Sequence, residues 1–295
     1  MPPFFFPAHT LAAVPRKKPS NRRTKKRRSA PRQGLAAFVP ETAVGSLLHS
    51  SETSIRILKF SIGLCLLPVC WIVLETFVIL LKADTLGGNY WRTPEFLSFG
   101  AGGILWMLLF WLAKSGLLIW LTRGLMWIYV AGHELTHALF VLLCRGKVSK
   151  IHISSDGGHI LTNRNNFIIS LSPYFFPFYS VVAAICWGLL QWVFRDRYDL
   201  DPRWFYGALG FTWLFHLSFT LWMVRREQPD VDQNGKLFSF TVIFLANLLL
   251  LCGLLILASP TATFHGFGVS LWENGRSFFD RLSESALELF RALPF

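Results

Sequence analysis

Charged residues are scarce in this chain, and their scarcity excludes an ordinary soluble domain. Only 16% of its 295 residues are Asp, Glu, Lys or Arg, whereas 53% are hydrophobic and the mean hydropathy is +0.42. The apolar residues come in runs of about 20, the length that an α-helix needs to cross a bilayer. We therefore predict an integral, multi-pass membrane protein.

Cysteines are also few, and their arrangement indicates neither a disulfide framework nor a cysteine metal site. Their number is odd, and all of them fall in apolar segments: Cys65, Cys70, Cys144, Cys186 and Cys252. We expect free, buried thiols, because cysteine behaves there as a small hydrophobic residue. We also expect no cleaved secretory signal, since the first apolar stretch is interrupted by proline and precedes the positive charges.

No acidic residue precedes Glu41, so the net charge of +12 is concentrated near the N-terminus. Ten of the 29 Lys and Arg lie between Arg16 and Arg32, and residues 1–50 hold seven of the 15 prolines. We expect 1–50 to be a disordered basic arm that is attracted to anionic lipid head groups and keeps the N-terminus in the cytoplasm. Nucleic acid is not an expected partner, because no aromatic or folded reading element accompanies these charges.

Six apolar runs follow the arm, and each is long enough to cross the lipid bilayer. They are residues 57–81, 98–121, 124–144, 167–194, 205–224 and 237–259. The second and third runs are separated only by Thr122 and Arg123, where we expect a tight turn. The predicted fold class is an all-α polytopic membrane protein with about six transmembrane helices, whose membrane domain covers residues 51–260.

The C-terminal residues 261–295 have the pattern of an amphipathic helix. From Ser270 onward, apolar side chains recur at helical spacing with charges on the other side, and Ser270 and Glu273 have the spacing of a capping box. We expect this helix to lie on the bilayer or on the membrane domain, with a soluble partner helix as the alternative.

The third run contains a motif that apolar helices rarely carry, His133-Glu134-Leu135-Thr136-His137. Two histidines four residues apart project from one face of a helix and can bind a single metal ion. Their burial in a membrane is unfavourable, and Zn²⁺ would offset that cost because neutral imidazoles are good zinc ligands. The motif predicts a zinc site formed by His133 and His137, with Glu134 beside it.

Two segments that follow the motif are expected near this site. Ile151 and Ile153 alternate with polar residues before Asp156-Gly157-Gly158, which predicts a β-hairpin after the HExxH helix that can pair its free edge with an extended substrate. Pro173 and Pro177 interrupt the fourth run, which predicts a kinked or partly unwound segment. Irregular backbone at membrane depth is tolerated only inside protein or along a cavity, so we expect this segment to border the site.

The third protein ligand must come from another part of the chain, and the residues alone leave several candidates. His216 lies in the fifth run at a depth that matches the two histidines, and Asp230 and Asp232 follow that run. The aspartates reach a metal ion only if their segment returns into the bundle. His152 and His159, on a short polar hairpin, are expected to be solvated.

These features together resemble the site-2 protease family of intramembrane zinc metalloproteases. The likeness covers about residues 124–239 and rests mainly on the HExxH motif. In that family the third ligand is a distant Asp, usually in an Asn-Pro or Leu-Asp-Gly context that is missing here. The sequence Gln228-Pro229-Asp230-Val231, preceded by FHLSFT, instead resembles a less studied branch of membrane metallopeptidases. That resemblance implies Asp230 as the third ligand, with His216 and Asp232 as substitutes. It also implies a zinc endopeptidase in which Glu134 is the general base and the substrate is another membrane protein or peptide.

Two other classes of function compete with this interpretation. The chain can be a non-catalytic, metal-binding membrane scaffold. It can also be an ion- or proton-translocating protein in which the polar residues of the spans, Glu75 and His216 among them, form a path. A simpler interpretation is that the motif histidines only form hydrogen bonds with neighbouring helices.

Overall fold

A computed structural model describes residues 12–13, 41–82, 90–115, 119–194, 199–226, 228–259 and 261–292. Within these ranges the chain is mostly helical and carries a small β-sheet. Five helices are long and apolar enough to cross a membrane, and a sixth such segment is broken into two pieces. The predicted fold class, an all-α polytopic membrane protein with a hairpin after the HExxH helix, is confirmed.

The helices follow one another with short connections. In chain order they are α1 (Glu41–Leu80), α2 (Pro94–Lys114), α3 (Ile119–Leu143), α4 (Phe167–Leu171), α5 (Phe178–Phe194), α6 (Pro202–Val224), α7 (Pro229–Asn234), α8 (Lys236–Ala258) and α9 (Phe264–Ala292). The helix α3 carries the HExxH motif, and the short helix α7 carries Asp230.

The closest helix pair is α2 and α6, which meet through glycines. A Cβ atom on Gly102 would overlap the carbonyl of Gly207, and one on Gly210 would overlap the carbonyl of Phe99. Small residues allow such close approach between membrane helices. Beyond the glycines, the indole of the fully buried Trp106 donates a hydrogen bond to Ser218 Oγ at 2.9 Å. This pair forms the aromatic core against which α3 packs.

The turn between the second and third apolar runs lies earlier than the sequence predicts. The helix α2 ends at Lys114 and α3 begins at Ile119, so Thr122 and Arg123, the expected turn, lie inside α3. The hydroxyl of Ser115 donates to the Leu112 carbonyl at 2.7 Å and ends α2, and the next residue is a glycine, a poor helix former. The sequence pattern does not reveal the end of α2 here, because apolar residues continue after this glycine.

The fourth run is broken as the two prolines predict. The helix α4 is followed by a 3₁₀ turn at Ser172–Tyr174, and α5 then leaves at an angle of 74°. The side chain of Asn166 caps α4 by accepting a hydrogen bond from the backbone N–H of Ile169 at 2.8 Å. A buried, irregular stretch of backbone therefore lies between two helices inside the bundle.

The predicted hairpin consists of β2 (Val148–Ser154) and β3 (Gly157–Thr162), which pair antiparallel with His152 opposite His159. A two-residue strand, β1 (Ala12–Ala13), pairs parallel with β3 and completes the sheet in the order β1, β3, β2. The rest of the predicted arm up to residue 40 lies outside the described residues. The helix α1 begins at Glu41, within the stretch 1–50 that the sequence assigns to the arm.

The C-terminal helix α9 begins earlier than its predicted capping box. It starts at Phe264, where Thr263 Oγ1 accepts the backbone N–H of Gly266 at 3.0 Å, and Ser270 and Glu273 lie within the helix. The helix packs on α1, since Asn274 Nδ2 donates to Thr76 Oγ1 at 3.0 Å.

Candidate metal centre

The two motif histidines lie on the buried face of α3, as their spacing predicts. The Nε2 atoms of His133 and His137 are 3.2 Å apart, and both residues are almost completely buried. The rings meet edge to face, with centroids 4.8 Å apart. One turn of helix therefore aims two imidazole nitrogens at the same point.

The short helix α7 brings Asp230 to that point. Pro229 occupies its first turn, and Gly235, with a φ of 86°, ends it and leads directly into α8. The backbone of α7 is anchored by Ser239, whose hydroxyl donates to the Val231 carbonyl at 3.0 Å. As a result, the Asp230 carboxylate is held inside the bundle and is only 2% exposed.

The three side chains form a compact set of ligand atoms. Asp230 Oδ2 lies 3.8 Å from His133 Nε2 and 3.5 Å from His137 Nε2. A tetrahedral zinc ion, with bonds of about 2.0 to 2.1 Å, keeps its ligand atoms about 3.3 Å apart. A point equidistant from the three atoms lies about 2 Å from each, close to a zinc bond length. His133, His137 and Asp230 thus form a group that could hold a metal ion.

Hydrogen bonds on the far side of each imidazole suit this role. His137 Nδ1 lies 2.8 Å from the Ile169 carbonyl, which only accepts, so Nδ1 carries the proton and Nε2 is left with its lone pair. His133 Nδ1 lies 3.2 Å from the Tyr129 hydroxyl. Such partners fix the tautomer and orientation of metal-binding histidines. The carbonyl of Ile169 belongs to α4, so the proline-broken segment borders the site as predicted.

The charge state of Asp230 also suits a metal ligand. Burial alone would raise the pKa of its carboxyl, but the imidazoles of His133 and His137, when they are protonated, outweigh burial and lower that pKa. The residue is therefore a carboxylate at neutral pH, the form that binds metal ions.

Glu134 lies between the metal-binding group and the hairpin. It is 2% exposed, and a Cβ atom added to Gly158 would come within 2.6 Å of its Cγ. Only a glycine allows β3 to pass this close to the glutamate. The hairpin therefore covers Glu134 and confines its side chain on the strand side.

The other candidate ligands lie outside this group. Asp232, two residues after Asp230, projects outward, is 44% exposed and pairs with Lys236 at 3.8 Å. His216 lines a cavity together with His133, but its nitrogens do not belong to the ligand group. His152 and His159 face each other across the hairpin, with ring centroids 5.2 Å apart. Glu75 contacts Arg281 of α9 at 3.5 Å.

Sequence reasoning missed the polar contacts that hold α7 in place. Asn234 Nδ2 donates to Ser170 Oγ at 2.6 Å and to the Asp230 carbonyl at 2.9 Å. Lys59 of α1 donates to Asn234 Oδ1 at 2.7 Å. A lysine inside an apolar run was the only available signal for this contact, because its partner lies 175 positions away along the chain.

Tyrosines near the imidazoles were missed as well. The fully buried ring of Tyr174 lies edge to face with His133, with ring centroids 5.4 Å apart, and Asn247 Nδ2 donates to the Tyr174 carbonyl at 2.8 Å. The position of Tyr174 between Pro173 and Pro177 is the one sequence feature that marks it.

Comparison of the chain with known proteins found no match. The chain matches no protein-family model, no curated protein and no solved structure.

Proposed function

We propose that the chain is an intramembrane zinc-dependent endopeptidase that hydrolyses peptide bonds of membrane-protein substrates. The convergence of His133, His137 and Asp230 from two separate helices carries this proposal. Three protein ligands are the usual number in catalytic zinc sites, which keep a further position for water or substrate. Two histidines and a carboxylate form the ligand set of several zinc peptidases.

Zinc bound there would polarise a peptide carbonyl and acidify water. Glu134 follows His133 directly in the motif, so its carboxylate is the group of this chain that accepts a proton from the attacking water. It returns that proton to the departing amine. Tyr129 and the Ile169 carbonyl keep the imidazoles oriented, and the hairpin confines Glu134. The surrounding bundle limits the access of bulk water.

The apolar surroundings of the site support a membrane substrate. The carbonyls of a helical substrate are engaged in its own hydrogen bonds, so the cleaved segment must be unwound before it reaches the ligand group. The hairpin next to Glu134 offers an extended backbone that can pair with such a segment. Its edge strand β2 is mostly solvent-exposed and lies on the outer side of the described sheet.

The test is the variant Glu134→Gln in the full-length chain. Purified protein is incubated with a mixture of synthetic transmembrane peptides, products are identified by mass spectrometry, and bound zinc is measured in the same samples. We expect cleavage to fall by about 10²- to 10⁴-fold, the usual contribution of a general base, with zinc content unchanged. Equal cleavage by both proteins, or none by either, would contradict the proposal.

The same samples separate the proposal from its two rivals. A scaffold binds zinc without cleaving any peptide, with or without the substitution. A translocating protein needs no tightly bound metal. Its proposed path also requires Glu75, which instead contacts Arg281 at the packing surface between α1 and α9.

A further inference from the structure

The two ends of the HExxH helix lie at the same end of the helix bundle. At its start, Thr122 Oγ1 donates to the Ala113 carbonyl in the last turn of α2 at 2.9 Å. At its finish, the Cys144 carbonyl accepts a hydrogen bond from Arg164 Nη1 at 2.9 Å. The next residue, Asn165, donates to Gln233 of α7 at 3.1 Å. The helix α3 thus connects the end of α2 with α7.

The end of α2 and the helix α7 belong to one end of the bundle. The helices α2 and α6 run parallel, because Gly102 lies against Gly207 and Phe110 lies against Phe219. They therefore finish side by side, and α6 leads into α7 at that end. We call it the hairpin end, defined by Lys114, Val224 and Lys236, and we call the opposite end, where α8 finishes at Ala258, the tail end.

The other long segments each run from one of these ends to the other. The helix α1 starts at the hairpin end, since Lys59 contacts Asn234, and it finishes near the end of α8, where Leu80 and Ile256 share a cluster. The broken segment α4–α5 begins at the hairpin end, with Phe167 against Phe238 at 5.5 Å. It finishes at the tail end, where Trp187 stacks on Phe205 near the start of α6 at 5.6 Å.

We infer that α3 does not cross the membrane and that the chain crosses it five times, through α1, α2, α4–α5, α6 and α8. The helix α3 then lies along the membrane plane at the hairpin end. Its burial agrees with this arrangement, because 61% of the apolar stretch of α3 is buried inside the protein. The corresponding share is 17 to 39% for the other four continuous helices that are long enough to cross a membrane. The hairpin and α4 cover α3, whereas lipid covers much of the others.

This arrangement places most of the basic residues on one side of the membrane. At the tail end, the described residues include Lys82, Arg92 and Arg203, and α9 adds Arg276, Arg281 and Arg291. The hairpin end holds Arg145, Lys147, Lys150, Arg164, Arg225 and Arg226, and α1, which starts there, is preceded in the sequence by the ten Lys and Arg between Arg16 and Arg32. Positive residues favour the cytoplasmic side, so the hairpin end is cytoplasmic and α9 lies on the opposite side.

The position of the metal-binding group then defines where a substrate is cut, a consequence that rests on the proposed function. The group lies on a helix of the cytoplasmic leaflet, and Asp230 precedes the first residue of α8. The endopeptidase therefore takes membrane proteins whose unwound segment lies in the cytoplasmic leaflet. A helix that unwinds only near the opposite face is not a substrate.

The inference is tested by the sidedness of the full-length chain in sealed vesicles. The chain carries an epitope tag at each terminus and one reporter cysteine, either Asp156→Cys in the exposed hairpin turn or Glu284→Cys on the exposed face of α9. A membrane-impermeant maleimide is added from one side, and the protein without a reporter measures labelling of the native cysteines.

Five crossings predict that position 156 is labelled from the side of the N-terminal tag and position 284 from the opposite side, with the C-terminal tag. Six alternating crossings predict the reverse for both positions, and that result, or any pattern with the two tags on one side, overturns the inference. The variant Glu134→Gln is labelled in parallel. Its sidedness does not depend on proteolysis, so this test and the cleavage test fail independently.

Discussion

Replacement of Asp230 by alanine probes the metal centre with a control built into the same short helix. Asp230 supplies one of the three candidate ligand atoms, 3.5 and 3.8 Å from the two imidazole nitrogens. Asp232 has the same charge and lies two residues away, but it is 44% exposed and pairs with Lys236. The variants Asp230→Ala and Asp232→Ala therefore remove equal charge from α7, and only the first removes a ligand.

The expected loss can be sized from the number of ligands. Structural zinc sites with four ligands bind with about 10 to 16 kcal/mol, so each ligand contributes about 2.5 to 4 kcal/mol. Loss of one ligand of this group should weaken zinc binding by about two to three orders of magnitude. Asp232→Ala should leave the affinity within about fivefold, because exposed ion pairs contribute at most about 1 kcal/mol.

The assay is zinc content of the purified full-length proteins, followed by competition with a chelator of known affinity. We expect about one zinc per chain in the wild type and in Asp232→Ala, and loss of zinc from Asp230→Ala at the same chelator concentration. The reasoning is refuted if both variants retain zinc equally, or if Asp232→Ala loses it and Asp230→Ala does not. His216→Ala, measured beside them, should retain zinc.

Three further substitutions test the surroundings of the site. Tyr129→Phe removes the hydroxyl that lies 3.2 Å from His133 Nδ1. It should weaken zinc binding by about 10- to 100-fold in the chelator assay, the usual effect of losing a hydrogen-bond partner of a metal-binding histidine. Unchanged affinity would show that this contact does not orient the imidazole. Gly158→Ala places a methyl group 2.6 Å from Glu134 Cγ, so peptide cleavage should fall while zinc content stays constant. Gly188→Ala is the control, because a Cβ atom there meets open space. Equal cleavage activity of the two variants would contradict the close packing of β3 against Glu134. Gly210→Val forces α2 and α6 apart and should lower the free energy of unfolding in detergent by more than about 3 kcal/mol, which exceeds ordinary overpacking. Gly253→Val is the control and should change that free energy little, because a Cβ atom there meets open space. Comparable stabilities of the two variants would refute the close glycine contact.

The sequence by itself determined the class of the fold and two residues of the candidate metal-binding group. Both follow from neighbouring residues in the sequence. About 20 apolar residues in a helix are enough to cross a bilayer, and a spacing of four residues places His133 and His137 on one face of a helix. Pro173 and Pro177 broke the fourth run for an equally local reason, since proline lacks the backbone donor that a helix interior requires. These features hold whatever the rest of the chain does.

The third member of the candidate metal-binding group was decided only by tertiary structure. His216, Asp230 and Asp232 were equivalent by composition and approximate depth, and Asp230 was preferred by family resemblance alone. The choice depends on α7 turning back into the bundle, through contacts such as Lys59 to Asn234 that join residues far apart in the chain. No local pattern encodes such a contact.

The orientation that we infer for α3, along the membrane plane, could likewise not be predicted from the sequence. Its length and hydropathy equal those of a membrane span, and both quantities describe the helix without its direction. Direction is set by what the two ends contact, Ala113 at one and Arg164 at the other, and those contacts exist only after the whole bundle has assembled.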